Sequence, residues 1–208
     1  MFHKGLNQQI VVDEAGRMIE ELGSEKFSMR LLAERLGVKT ASLYTHVGSM
    51  EELYTQVGLE ALKKQKEYQM EAILGKDRDE AVESLAFAYR RFGKEHRELY
   101  RFIMSMPDGF AKILQSAASM VAEPSMKVLA AYDMDEKRRM HWQRVLRGMM
   151  HGFISQEECG YFSHYPADIE ESYRLAIACI LDGLHEEEKN KKEISRKEKM
   201  MEAEKNQR

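Results

Sequence analysis

The chain has 208 residues, 43% of them hydrophobic, with 32 Lys and Arg against 35 Asp and Glu for a net charge of −3. That much apolar material excludes a wholly disordered chain, and one or two domains fit the length. Val, Ile and Thr together supply 22 residues and Pro only three, too few for a β-rich fold, so an all-α protein is expected.

In chain order, Ile10, Ala15, Met18, Ile19 and Leu22 recur at helical spacing and predict a first helix closed by Gly23. Ser28 reads as the N-cap of a second, short helix that Gly37 stops after Leu36. A third segment spans Thr40 to about His46. Ser49 with Glu52 three residues on is a capping box, opening a longer helix that reaches about Gly75. Beyond it come apolar stripes over 82–92 and 99–106, then a segment over 108–132 that Pro124 should split or kink. Helices over 135–158 and from 169 to about 184 follow, the latter with the most regular stripe. From His185 onward 15 of 24 residues are charged, a solvated tail that either extends the last helix or frays. The expected organisation is therefore an N-terminal three-helix domain over 1–50, a connecting helix over 51–74, a helical domain over 75–189 and a charged tail over 190–208.

Residues 28–47, SMRLLAERLGVKTASLYTHV, are the informative stretch. Leu32, Ala33, Leu36, Val38, Leu43 and Val47 are placed for packing two short helices across a turn at Gly37, which can take the positive φ such a turn needs. Thr40, Ala41, Ser42, Tyr44, Thr45 and His46 are left facing outward. This is the pattern of a helix-turn-helix, whose second helix enters a major groove; small and hydroxyl residues admit it deeply, and Tyr44 can donate to a phosphate. Lys26, Arg30, Arg35 and Lys39 stand against a lone Glu34, a local excess of three positive charges that the chain-wide balance conceals.

The stretch from Phe27 to Leu53, FSMRLLAERLGVKTASLYTHVGSMEEL, resembles the DNA-binding segment of the TetR (tetracycline-repressor) family of bacterial regulators. The resemblance implies phosphate contacts from Ser28, Tyr44 and Thr40, and base or backbone contacts from Lys39, Ala41, Ser42, Thr45 and His46. Met50 stands where the family usually has a Lys, implying one phosphate contact fewer and weaker or more salt-tolerant binding. Residues 141–162, HWQRVLRGMMHGFISQEECGYF, look like the WHG-type ligand-binding domain of some members, through Trp142, His151 and Gly152, although Gln156 replaces a more usual Leu. The family implies an all-α architecture in which an N-terminal helix-turn-helix domain joins a helical ligand-binding and dimerisation domain.

A homodimer is implied, with double-stranded DNA carrying a pseudo-palindromic operator as partner. Gly148 and Gly152, four apart on one helix, let a partner backbone approach, and Phe153, Tyr173, Ile177, Ile180, Leu181 and Leu184 are the candidates to join them. Eight of the 15 methionines fall between Met104 and Met150. Flexible and polarizable, they suggest an adaptable pocket for an apolar or amphipathic small-molecule inducer, lined by Tyr89, Phe102, Met104, Met106, Phe110, Met120, Trp142 and Met149.

Competing chemistries find less support. His141, His151, Cys159, His164, Cys179 and His185 gather in the last third, but without CxxC or HExxH spacing, so no metal site and no cofactor are expected. GxGxxG, GxxxxGK and GxSxG are all absent, and no catalytic residues are assigned; a helical enzyme or scaffold protein, or a metal- or redox-sensing regulator, remains the alternative. Two cysteines are too few for a disulfide framework, no secretory leader is evident, and the longest apolar run, 175–181, is far below the ~18 residues of a membrane span. A cytoplasmic protein without membrane contact is the expectation.

Overall fold

The computed structural model describes residues 5–105, 110–164 and 166–205, without the side chains of 110–116, 118, 119, 204 and 205. Among these residues all regular structure is helical: α1 (Gln8–Leu22), α2 (Met29–Leu36), α3 (Thr40–Leu43), α4 (Met50–Ala72), α5 (Arg78–Glu95), α6 (Arg97–Ser105), α7 (Phe110–Leu129), α8 (Glu136–Glu158) and α9 (Ile169–Lys205). The chain forms two compact units, one of residues 1–68 with 91–121 and one of residues 69–90 with 122–208.

In the first unit, the Asn7 side chain accepts from the Ile10 N–H at 2.9 Å and starts α1. Gly23, at φ 80°, ends it by donating to the Ile19 carbonyl. Val11, Val12, Ala15, Met18 and Ile19 form its buried face, the spacing of a single helical stripe. Leu32 and Ala33 of α2, Leu43 of α3, Leu53 and Val57 of α4, and Leu99 and Phe102 of α6 are buried in this unit as well. Phe27, Tyr54 and Phe102 stack in sequence at centroid separations of 5.7 and 5.2 Å.

The second unit buries Val82, Leu85 and Ala86 of α5, Leu129 of α7, Leu146 and Met150 of α8, and Tyr173, Ile177 and Leu184 of α9. Two open sequence expectations narrow here. Pro124 neither splits nor ends its segment, because α7 runs unbroken from Phe110 to Leu129. Pro124 is itself buried, as are Ser125, Val128 and Leu129 after it. The charged tail continues α9 to Lys205.

Candidate nucleic-acid interface

The hairpin of α2 and α3 is built from local signals. The Ser28 hydroxyl accepts from the Leu31 N–H at 3.3 Å, and α2 closes at Gly37, whose φ of 69° lies in the left-handed region. The Val38 N–H then returns to the Ala33 carbonyl at 3.0 Å and the Gly37 N–H to Glu34 at 3.2 Å, a Schellman-type closure. The chain restarts at Lys39 in extended conformation, and α3 lasts only to Leu43 before a turn carries it to Val47. Leu43 and Val47 are fully buried and act as two anchors. Everything between and around them faces outward: Lys39, Ala41, Tyr44 and Thr45 are exposed, while Thr40, Ser42 and His46 are half-buried.

The donors on this surface differ in availability. Thr45 Oγ1 already donates to the Ser42 carbonyl at 2.7 Å, so toward a ligand it offers lone pairs and a methyl group rather than a proton. Tyr44 is 49% exposed with its hydroxyl unengaged within the described residues. The Ser28 oxygen caps α2 as an acceptor, which leaves its hydroxyl proton available to donate. Behind the hairpin, the Ser49 hydroxyl accepts from the Glu52 N–H at 3.0 Å, while the Glu52 carboxylate takes the Gly48 N–H at 2.8 Å. The capping box of α4 is thus shifted by one residue on its return bond and seals the turn that leaves the surface.

The local charge excess is smaller than the sequence count. Arg35 places both terminal nitrogens on Glu21 at 2.7 and 2.8 Å and its Nε on Glu14 at 2.7 Å. Those hydrogen bonds hold the Glu21 carboxyl below its usual range. Arg30 pairs with Glu34 at 3.1 Å. Of the four cations counted, only Lys26 and Lys39 carry no ion pair among the described residues. Their charge, together with hydroxyls and backbone, is what the surface offers a phosphate chain.

Two family models match this chain: "Bacterial regulatory proteins, tetR family" over residues 11–57, and "Tetracyclin repressor-like, C-terminal domain" over residues 82–180. The first spans α1 through the recognition hairpin into α4, and the two together cover most of the chain. The chain belongs to the TetR family. It is a ligand-responsive DNA-binding transcriptional regulator of the kind that family comprises. An uncharacterized HTH-type transcriptional regulator of Mycobacterium tuberculosis is 28% identical over 164 residues, 78% of this chain and 75% of that protein. The uncharacterized HTH-type regulator YobS of Bacillus subtilis is 26% identical over 187 residues, 89% of this chain and 96% of that one. Among solved structures, the TetR family protein ActR of Streptomyces coelicolor in complex with (S)-DNPA superposes with a TM-score of 0.61 at 21% identity, covering 86% of this chain and 96% of that one.

The residues expected at a TetR-type dimer contact divide in two. Tyr173, Ile177, Ile180 and Leu184 are buried inside the protomer, so they cannot present a face to a second copy. Tyr173 donates to the Ala86 carbonyl of α5 at 2.7 Å and packs edge-on against Phe87 and Phe153 at 5.5 and 5.0 Å. The regular stripe of α9 is therefore core, and its regularity reports an intramolecular face. Phe153 and Leu181 are half-buried, whereas Gly148 is exposed and a Cβ at Gly148 or Gly152 would meet nothing within 4 Å. Beside these glycines Val145 is 50% exposed and, on α9, Leu175 is 66% exposed.

The expected pocket residues divide between the two units. Tyr89, Trp142 and Met149 fall in the second compact unit, Phe102, Met104 and Met120 in the first, and Met106 and the Phe110 side chain lie outside the described residues. Two of the rings are taken up by packing. Phe102 stacks on Tyr54, and the Trp142 indole fills the notch over Gly183 in the α8–α9 seam, where an added Cβ would come to 2.4 Å. Its Nε1 donates to Glu187 at 3.4 Å. A cleft of about 290 Å³ does open in the first unit, between α1 and α4 over Val12, Gly16, Val57 and Ala61, but none of the eight residues lines it. Among the described residues no three His, Cys, Asp or Glu groups gather as a metal site, and no helix is long and apolar enough to cross a membrane.

Sequence reasoning missed the polar webs that organise the second unit. Arg90, buried on α5, donates to Glu157 of α8 at 2.9 and 3.0 Å and to Glu170 of α9 at 2.6 Å, and its guanidinium lies 4.9 Å from the Tyr173 ring centroid. Arg78, at φ 48°, donates to Glu188 and to the Ala131 carbonyl and stacks over Tyr132. Tyr132 donates to Asp79 at 2.6 Å, and burial pushes its phenol up. No motif marks these residues, because their partners stand 53 to 110 positions away.

Proposed function

We propose that this chain acts as a homodimeric repressor in the cytoplasm, reading a pseudo-palindromic operator with α3 and the turn that follows it and leaving that operator when a small molecule binds. The carrying observation is the surface from Lys39 to His46, held outward by Leu43 and Val47 behind the Gly37 turn. Ser28, Thr40 and Tyr44 position the hairpin on phosphates, and Lys39, Ala41, Ser42, Thr45 and His46 face the groove. The recognition element here is one turn of helix, so Ala41 and Ser42 set how closely the backbone approaches the bases. With only Lys26 and Lys39 of the hairpin's four cations lacking an ion pair among the described residues, and Met50 where a Lys is usual, phosphate attraction is weak and the salt dependence of binding is shallow.

Two such hairpins bind one duplex when they sit about 34–36 Å apart, one helical turn of DNA. The partner copy meets the face carrying Val145, Gly148, Gly152 and Leu175, which the protomer leaves open. The inducer is apolar or amphipathic, in keeping with the methionines of 104–150. It must bind the misspaced dimer more tightly than the DNA-competent one to shift the balance at all.

Selection of binding sites from random duplex DNA tests this reading directly. A palindromic consensus is expected. Tyr44→Phe should weaken binding alike for every selected sequence, while Ser42→Ala and Thr45→Val should change preference at particular base pairs. Unchanged affinities and unchanged consensus in all three would remove the hairpin from the interface.

A further inference from the structure

We propose that His96, the single residue joining α5 to α6, is a proton-operated latch on the helix that carries the DNA-binding hairpin. The proposal deepens the operator-reading function given above and rests on it. His96 forms the corner through its backbone: its N–H donates to the Phe92 carbonyl at 2.9 Å and its carbonyl accepts from Tyr100 at 2.8 Å. Its ring, only 14% exposed, points at groups from three helices of the same compact unit.

At Nε2, the Tyr68 oxygen of α4 lies 2.8 Å away and the Tyr68 proton is directed to the Glu95 carboxylate of α5 at 3.0 Å. A phenol has one proton; with that proton on Glu95, its oxygen accepts, and Nε2 is the donor. At Nδ1 two opposed groups compete. The Glu20 carboxylate at the end of α1 is in hydrogen-bond contact, and the Lys64 ammonium of α4 stands 3.3 Å away. Lys64 and Glu20 are themselves 3.8 Å apart. Arg91 of α5 lies over the Tyr68 ring at 5.3 Å, and α6 follows at Arg97.

The proton count at Nδ1 selects between the two partners. A protonated Nδ1 donates to Glu20, and the imidazolium bridges α1 to the α5–α6 corner, with Lys64 beside the carboxylate. A bare Nδ1 presents a lone pair, which Lys64 can satisfy and Glu20 can only be repelled by. Losing one proton therefore moves the corner from α1 to α4 and frees the last turn of α1. Glu20 sits three residues before Gly23, and α1 is followed by Ser28 and the hairpin, so the latch bears on how firmly the reading head is held. Acid fixes it, and a preorganised head binds DNA more tightly.

The experiment uses the full chain at pH 6 and pH 8, native and with His96→Gln, Glu20→Gln guarding against a His96 variant that fails to fold. Amide exchange in residues 18–23, corrected for the intrinsic pH effect, should be about fivefold slower at pH 6 in the native protein, with no such difference in either variant. Affinity for the selected operator should fall about threefold from pH 6 to pH 8, and the fall should shrink in His96→Gln. That variant keeps His46 in the groove, so only the contribution of His96 is removed. Equal pH dependence in native and variant overturns the latch, and so does ring-nitrogen NMR showing the neutral imidazole protonated on Nδ1, since Glu20 would then keep its bond. A latch seen in exchange but absent from operator affinity overturns the coupling to DNA. Failure to select any operator at either pH would instead refute the DNA reading, with the exchange data still deciding the latch.

Discussion

Between Ser28 and Val47 the polar side chains, Arg35 apart, bond close by in sequence: Ser28 with Leu31, Arg30 with Glu34, Thr45 with Ser42. Around Arg90 the bonds join residues 67, 80 and 87 positions apart. In the hairpin, polar groups are spent on starting and stopping short helices, which leaves the rest free for a ligand. In the second unit they are spent on fastening α5, α8 and α9 to one another. Substitutions should separate the two uses: loss of a web residue should cost stability, and loss of an outward hairpin residue should cost DNA binding with the fold intact.

The sharpest break is Arg90→Leu. It leaves Glu157 and Glu170 without their shared cation and removes the contact with the Tyr173 ring. Breaking a buried pair typically costs about 3–5 kcal/mol. The lower end, about 3 kcal/mol in denaturant unfolding, is expected, since the Glu170 side chain is 45% exposed. A change no larger than that of an exposed pair such as Arg30 with Glu34 would mean that the web fastens nothing.

Next comes Glu188. Hydrogen bonds from Arg78 and from the Asp133 N–H pull its carboxyl down to about 2 from the usual 4.5. A carboxylate depressed by folding stabilises the protein above its unfolded pKa, and that stability drains away as the pH falls through the folded value. The native protein should therefore lose stability between pH 4.5 and 2, and Glu188→Gln should flatten that limb. At pH 7 the same change should cost about 2 kcal/mol, as for other hydrogen bonds to charged groups. It would also leave Arg78 holding a left-handed φ without its anchor.

Gly183→Ala tests packing rather than charge. The new methyl would sit 2.4 Å from Trp142 Cη2, and a fused ring in a helix seam cannot swing aside as a flexible chain end can. Overpacking of this kind costs about 1–3 kcal/mol, less the gain in helix propensity. A melting temperature unchanged or raised would show the indole free to move and its seam position incidental.

The contrast also explains what could be read from the sequence. Caps and turns act over three or four residues, so Ser28, Gly37 and Ser49 announced α2, the turn and α4 in advance. The outward face of the hairpin was legible because a short helix pinned by Leu43 and Val47 leaves few directions for its other side chains. The charge on that surface was less legible. Arg35 looked available until Glu14 and Glu21 of α1 came to meet it, a pairing set by how α1 crosses α2. Helical periodicity likewise marked the stripe of α9 as apolar without saying which neighbour it meets; α5 meets Tyr173 through Ala86 and Phe87, and Leu184 is buried within the protomer. Pairings set by tertiary packing, such as Arg90 with Glu157, leave no periodic trace.

The smallest effect isolates backbone from side chain. Gly37 has open space where a Cβ would go, so Gly37→Ala meets no clash, and its whole cost is the φ of 69°. An L-residue held there loses about 1–2 kcal/mol, and the hairpin, closed by only two backbone bonds at this turn, has little else to hold it. Gly148 is the control: it too has open space but lies inside α8 with no positive φ, so Gly148→Ala should gain about 0.5–1 kcal/mol in the protomer. Melts at low concentration should therefore move in opposite directions for two identical chemical changes. At high concentration the Gly148 gain should shrink or reverse, because the added methyl stands on the face where a partner backbone is to approach. If both variants are destabilised equally at every concentration, the turn geometry is not what distinguishes Gly37, and the open face of α8 is not where copies meet.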